Sequence, residues 1–176
     1  MSNSYFSAPA LWRIPETAIA DSLSEMAIDG CDGNEGIVFW LGQDREDIAE
    51  ITHLVRLRGP LVVKHPEFVQ VHPSLFNEIA DIAIAHRLRL IGQVHTHGPD
   101  YRLDLSPTDR QYGIKTPSYL SLVAPNYGRT EVPVHHWGVH IFEEGLGYVR
   151  MRPAEAQRRI QVVSGPGLPF LTVGGG

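Results

Sequence analysis

Five consecutive apolar residues at 37–41 (IVFWL) constrain the fold more than any other feature of the chain. A short uninterrupted apolar run is typical of a strand that is buried on both faces of a sheet. Helices are predicted from Pro15 and from Pro73, because apolar residues follow each proline at helical spacing. Further short strands are predicted at 51–57, 68–71, 90–97, 118–124, 134–142 and 147–151. This order predicts an α/β (α+β) fold in which helices sandwich a mixed β-sheet.

The length of 176 residues fits one domain around a single core. We expect a flexible N-terminus at 1–10, a folded domain at 11–151 and a C-terminal tail at 152–176. The tail is rich in proline and glycine and ends in three glycines. We therefore expect it to be poorly ordered or laid along the surface.

Charge and composition limit the partners and the compartment. The net charge is −5 and the basic residues are scattered, so neither nucleic acid nor an anionic membrane is expected as a partner. No stretch approaches the ~18 apolar residues of a membrane-spanning helix, and no signal-peptide pattern is visible. The single cysteine, Cys31, is compatible with a reducing compartment. We expect a cytoplasmic protein.

Two histidines, His95 and His97, lie two positions apart at the end of a predicted strand. Side chains at i and i+2 point to the same face of a strand, so both imidazoles can reach one metal ion. The pair alone is weak evidence, because the chain contains nine histidines.

The segment Ser106-Pro107-Thr108-Asp109 has the pattern of a helix start, with serine at the N-cap, proline at the first position and an acidic residue at the third. Ser106 and Asp109 could serve only as helix caps. A helix start beside the two histidines would also bring Asp109 within reach of the same metal. Asp100 and Asp104 compete for that role, but nothing in the sequence fixes their orientation.

Two histidines and one carboxylate would leave the fourth position of a zinc ion for water, as in catalytic zinc sites. Such a site also needs a proton acceptor that passes the proton to the leaving amine. Glu35 is the candidate, because it precedes the buried strand at 37–41, which could lie beside the histidine strand. From its position alone, the sequence favours an ordinary strand-end glutamate.

Taken together, Glu35, His95-Thr96-His97 and Ser106-x-x-Asp109 resemble the signature of the JAMM (MPN-plus, JAB-domain) zinc metalloproteases. The resemblance covers roughly residues 11–150. It implies a JAB/MPN-like, cytidine-deaminase-like architecture with one Zn²⁺ per chain bound by His95, His97 and Asp109. It further implies that Glu35 is the general base and acid and that Ser106 stabilises the oxyanion of the tetrahedral intermediate.

The chain departs from the family pattern between His97 and Ser106. The gap is eight residues, one longer than the commonest spacing, and the proline that usually follows the second histidine is displaced to Pro99. A one-residue extension of a surface loop costs little, so we expect the metal site to survive.

The resemblance implies a compact prokaryotic-type isopeptidase that removes a ubiquitin-like protein from a conjugate or precursor. Its implied partners are that modifier and E1/E2-like enzymes of the same operon, in a setting such as antiviral defence. The connection 59–72 and the loop 98–105 are the candidate clamps for the modifier's extended tail. The alternatives are a JAB-family peptidase acting on cell-wall or phage-tail peptides, and an inactive MPN scaffold. His135, His136 and His140 are expected to have a surface or structural role and not to form a second metal site.

Overall fold

The computed structural model describes residues 9–175 of the chain. Within them, nine strands form one mixed sheet, two more form a separate hairpin, and four α-helices pack around the sheet. The strands are β1 (Leu11–Pro15), β2 (Ile37–Arg45), β3 (Ile48–Leu57), β4 (Val62–His65), β5 (Phe68–Val71), β6 (Arg89–Thr96), β7 (Leu120–Ala124), β8 (Gly138–Glu143), β9 (Gly147–Arg150), β10 (Ile160–Val163) and β11 (Phe170–Val173). The helices are α1 (Glu16–Cys31), α2 (Pro73–Ala85), α3 (Pro107–Tyr112) and α4 (Pro153–Arg159).

The main sheet runs in the order β10-β1-β3-β2-β6-β7-β8-β9, and β11 also pairs with β3. Strand β2 is antiparallel to both of its neighbours, β3 and β6, whereas β6 and β7 are parallel. The sheet is therefore mixed, which confirms the fold class predicted from the order of the elements.

The apolar run in β2 is buried on both faces, as the sequence predicts. Trp40 faces α1, and its indole N–H donates a hydrogen bond to Ser22 Oγ at 3.0 Å. Phe39 faces the opposite side, where its ring packs edge-on against Phe76 of α2 with 5.8 Å between the centroids. Alternate residues of one strand thus enter two separate apolar cores, which is the physical basis of the helix-covered sheet.

The segment 152–176, expected to be loose, instead contributes regular structure to the sheet. Strand β10 pairs in parallel with β1, placing Ile160 opposite Trp12, and β11 pairs with β3, placing Phe170 opposite Leu54. The side chain of Val173 is buried in the core that α2 covers. Short apolar stretches between the prolines and glycines find partners on distant strands, and composition alone does not reveal this.

The expected flexible N-terminus at 1–10 falls mostly outside the described residues. Within them, the Ala10 N–H donates a hydrogen bond to the Asp47 carbonyl at 2.8 Å, so this end of the segment is attached to the sheet. None of the helices found in residues 9–175 is long and apolar enough to cross a membrane.

The connection 59–72 contains β4, which forms a two-stranded antiparallel hairpin with β5. Polar contacts join the hairpin to α1 and to the start of β2. The Lys64 ammonium binds the Asp29 carboxylate at the end of α1, with Nζ 2.7 Å from Oδ2. The His65 carbonyl accepts a hydrogen bond from the Glu35 N–H at 2.9 Å. The hairpin therefore lies directly beside the start of β2.

Candidate metal centre

His95 and His97 lie at the end of β6, between β2 and β7. His95 is opposite Ile37 on β2 and Val123 on β7, and the His97 N–H donates to the Ala124 carbonyl at 3.0 Å. Both residues are buried, with exposures of 3% and 6%. The two imidazoles therefore stand on the same face of a strand that is paired on both sides, as the spacing predicts.

Asp109 reaches the histidines from the first turn of α3. Ser106 Oγ accepts a hydrogen bond from the Asp109 N–H at 3.1 Å, and the Asp109 carboxylate accepts one from the Ser106 N–H at 2.8 Å. This reciprocal capping box fixes the carboxylate. Asp109 Oδ2 then lies 3.5 Å from His95 Nε2 and 3.6 Å from His97 Nε2. The three side chains form a group that could hold a metal ion.

The surroundings of the ring nitrogens of His95 and His97 suit the binding of a metal ion. His97 Nδ1 lies 2.7 Å from the Arg102 carbonyl oxygen, so Nδ1 carries the proton and Nε2 presents a lone pair. Both ring nitrogens of His95 are buried without a hydrogen-bond partner among the described residues. Buried polar atoms without partners are costly, and a metal ion beside Asp109 Oδ2 would satisfy one of them.

The groups around Asp109 keep its carboxylate ionised, which favours the binding of a cation. Burial opposes ionisation of Asp109, but the imidazoles of His95 and His97 beside its carboxylate, together with the Ser106 N–H, hold its pKa well below its usual range. Burial likewise opposes the charged form of His97, yet Asp109 and the Arg102 carbonyl raise its pKa above the ordinary value. Asp109 is therefore a carboxylate at physiological pH, and its negative charge favours the protonated form of His97.

Glu35 lies beside the group formed by His95, His97 and Asp109, just before the start of β2. Its side chain is only 2% exposed, and Oε1 is 3.9 Å from His97 Nε2. Burial raises the pKa of Glu35 to about 8, with the negative charges of Asp109 and Glu67 adding to the effect and His97 opposing it. A carboxyl group that titrates near neutral pH can both accept and return a proton.

The main chain on either side of Glu35 and His95 is tied together by Thr96. The hydroxyl of Thr96 accepts a hydrogen bond from the Gly36 N–H at 2.9 Å, and the Thr96 N–H donates to the Gly36 carbonyl at 3.1 Å. Thr96 is fully buried. This pair of bonds fixes the position of Glu35 relative to the two histidines.

Ser106 acts as the helix cap that the sequence offered as one interpretation. A hydroxyl group has one donor and two acceptor positions, and the capping bond from the Asp109 N–H uses one acceptor position only. The capping bond therefore does not use the Ser106 O–H donor. The structure thus brings together all five residues that the sequence selected: Glu35, His95, His97, Ser106 and Asp109.

Comparison with known proteins gives the fold alone. No protein-family model and no curated protein sequence matches the chain. Among solved structures, the chain is similar to protein DSY2949 from Desulfitobacterium hafniense, determined in solution, with a TM-score of 0.59 and 14% sequence identity. The likeness covers 88% of this chain and 94% of that one.

The remaining acidic candidates are placed elsewhere. Asp100 is exposed, and Asp104 turns away from the metal ligands to meet His140 of β8, with Oδ1 2.7 Å from Nε2. His140 is completely buried, and burial lowers its pKa although the Asp104 carboxylate favours the charged ring. The neutral ring therefore donates its Nε2–H to Asp104. The pairing with Asp104 has no local sequence signal, because 36 positions separate the two residues.

The neighbouring histidines do not join a second group of metal ligands within residues 9–175. His135 and His136 lie in a short 3-10 helix, Val134–His136, with their rings 4.3 Å apart. The strand predicted at 134–142 accordingly begins only at Gly138.

Proposed function

We propose that this chain is a zinc-dependent hydrolase that cleaves the peptide or isopeptide bond joining a ubiquitin-like protein to a conjugate or precursor. The observation that carries the proposal is the convergence of the five residues of the JAMM-like set. They come from three separate segments of the chain, yet Glu35 and Asp109 both approach the Nε2 atom of His97, at 3.9 and 3.6 Å.

The donor set favours zinc. Two imidazole nitrogens and one carboxylate oxygen are the three protein ligands of many catalytic zinc sites, whereas magnesium and calcium prefer oxygen ligands throughout. Zinc, when bound by His95, His97 and Asp109, would polarise the scissile carbonyl and lower the pKa of a water molecule that attacks it.

The protein supplies proton transfer and charge stabilisation. In the proposal, Glu35 takes the proton of the attacking water and delivers it to the leaving amine, which its burial and raised pKa suit. The free O–H of Ser106 donates to the oxygen on which negative charge develops. A single donor of this kind contributes about 3–4 kcal/mol to transition-state stabilisation.

The proposal assigns the modifier's extended tail to the surface flanked by the β4–β5 hairpin and the loop 98–105. These are the two segments that the sequence suggested as clamps. The Tyr101 hydroxyl donates a hydrogen bond to Glu67 Oε1 at 3.1 Å, which joins the loop to the hairpin turn beside Glu35. An extended peptide that enters here would pass over Glu35 and His97. The proposal retains a cytoplasmic setting and E1/E2-like enzymes as partners.

The test pairs metal analysis with a cleavage assay. The purified protein should contain about one zinc per chain and should cleave a ubiquitin-like protein joined through a C-terminal Gly-Gly to a fluorogenic amine. Glu35→Gln should retain zinc and lose hydrolysis, while Glu144→Gln, at an exposed turn, should retain both. Unchanged hydrolysis by Glu35→Gln would remove Glu35 from the mechanism.

The same assay separates the alternatives. Cleavage of cross-linked cell-wall peptides in place of the modifier would keep the metal chemistry and change the substrate class. A protein that binds zinc and cleaves neither kind of substrate would support the inactive MPN scaffold.

A further inference from the structure

We propose that strand β8 positions the metal centre through Asp104, although neither contacts the metal ligands directly. Gly138 and His140, which we call the β8 seat, hold the loop 98–105 and thereby set the affinity of the site for zinc. The inference rests on the proposed function only in taking His95, His97 and Asp109 as a zinc site.

The loop 98–105 connects the two halves of the metal centre. It begins directly after His97 and ends directly before Ser106, the cap of the helix that carries Asp109. The path of these eight residues therefore controls how far apart the ligands from β6 and α3 lie. A surface loop has many accessible conformations unless specific contacts select one.

Two consecutive loop residues meet alternate residues of β8. A β-carbon at Gly138 would overlap the carbonyl oxygen of Leu103, so only glycine permits this approach. His140 lies two positions further along the same face of the strand, and its Nε2 is 2.7 Å from Asp104 Oδ1. The match between successive loop residues and alternate strand residues fixes the loop in position.

The carboxylate of Asp104 accepts hydrogen bonds from residues on both sides of the loop. Its Oδ1 accepts hydrogen bonds from His140 Nε2, from Arg110 Nη2 at 2.9 Å and from the Leu105 N–H at 2.8 Å. Arg110 follows Asp109 in α3, and its other terminal nitrogen donates to the Tyr148 carbonyl at 2.8 Å. Asp104 therefore links the helix that carries Asp109 to strands β8 and β9.

The link reaches His97 from the other end of the loop. The Arg102 carbonyl that accepts the His97 Nδ1–H lies only two residues before Asp104. If Asp104 is released from the β8 seat, the carbonyl shifts, and the ring of His97 loses the contact that fixes its orientation and proton position. Loss of such an outer partner typically weakens metal binding by about 10–100-fold.

The experiment measures Zn²⁺ affinity by competition with a chromophoric chelator and records the visible spectrum of the Co²⁺ form. We expect Asp104→Ala to weaken zinc binding by about 10–100-fold and to alter the Co²⁺ spectrum. Asp44→Ala is the matched control, because it removes an ion pair with Arg89 at the opposite end of β2 and β6, where Arg89 Nη2 lies 2.6 Å from Asp44 Oδ1. It should change the affinity by less than about twofold.

A second pair of variants separates positioning from general stability. His140→Leu removes the donor to Asp104 and should weaken zinc binding, whereas His140→Gln retains an amide donor and should recover most of the affinity. Equal affinity in these two variants would overturn the inference even if Asp104→Ala does not fold.

The outcomes distinguish this inference from the proposed function. If the wild type and Asp104→Ala bind zinc equally tightly, the inference fails and the zinc site stands. If only Asp104→Ala binds weakly but the wild type cleaves no substrate, the inference stands and the proposed function fails. A wild type that binds no zinc would overturn both.

Discussion

Glu35 Oε1 lies 3.9 Å from His97 Nε2, although 61 residues separate the two positions in the chain. The antiparallel pairing of β2 with β6 explains this proximity, because Ile37 is opposite His95 and the residues flanking that pair meet at one end of the sheet. Strand pairing, together with the bonds between Thr96 and Gly36, thereby places a buried carboxyl group beside a candidate metal ligand.

The burial of Glu35 predicts how the stability of the metal-free protein depends on pH. The folded-state pKa is about 8 against an ordinary value of 4.5, so the folded state binds the proton more tightly than the unfolded state. This contribution to stability is complete below about pH 4.5 and is lost as the pH rises through about 8. With about 1.4 kcal/mol per pKa unit, the loss amounts to a few kcal/mol.

Urea unfolding of the chelator-treated protein at pH 5, 7 and 9 measures this effect. The wild type should lose stability over this range relative to Glu35→Gln, whose amide cannot ionise. Glu144→Gln should follow the wild type. Parallel curves for the wild type and Glu35→Gln would show that Glu35 ionises normally in the folded protein.

The sequence was most informative where a local rule fixes a side chain. Strand alternation places His95 and His97 on one face, and the helix start orients Asp109 in preference to Asp100 or Asp104. The position of Glu35 beside His97 depends on which strands pair, and the residues around Glu35 do not determine that pairing. The sequence offered that pairing as one possibility, and the resemblance to a known family favoured it.

Contacts between loops and strands could not be predicted from local sequence patterns. Nothing local to Asp104 indicates that it binds His140, and nothing local to Gly138 shows that the Leu103 carbonyl packs against it. The strands near the C-terminus were missed for the same reason. Ile160 pairs with Trp12, which is almost the whole length of the chain away.

Ser106 combines helix capping with the proposed oxyanion contact, and two substitutions separate these roles. Ser106→Ala should lose about 1 kcal/mol of stability, because the Asp109 N–H loses its capping acceptor. It should also reduce kcat by about 10²–10³-fold. Ser106→Gly is tolerated at the N-cap at a cost of only a few tenths of a kcal/mol and has no side-chain donor, so it should recover most of the stability and not kcat. Recovery of kcat by Ser106→Gly would mean that Ser106 is a cap alone.

Thr96 offers a test of how Glu35 is held. Thr96→Val preserves the shape of the side chain but removes the acceptor for the Gly36 N–H, leaving a buried donor unpaired. We expect a loss of about 1–3 kcal/mol in urea unfolding together with reduced kcat. Thr96→Ser should restore both.

Thr17→Val is the control for the Thr96 substitution. Its hydroxyl makes an exposed hydrogen bond to the Pro166 carbonyl at 2.8 Å, far from Glu35. It should change stability by less than about 0.5 kcal/mol and leave kcat unchanged. A kcat for Thr96→Val equal to that of the wild type would show that Glu35 does not depend on the bond to Gly36.

Two valines near the C-terminus test whether these last strands contribute to the core. Val173 of β11 is 1% exposed, packed in the core covered by α2, whereas Val162 of β10 is 49% exposed. Both substitutions to alanine remove the same atoms from strands of equal length. Because only Val173 loses buried contacts, Val173→Ala should cost about 1–2 kcal/mol in urea unfolding, and Val162→Ala should stay within about 0.5 kcal/mol of the wild type. Equal, small effects would mean that β11 contributes little to the core in solution.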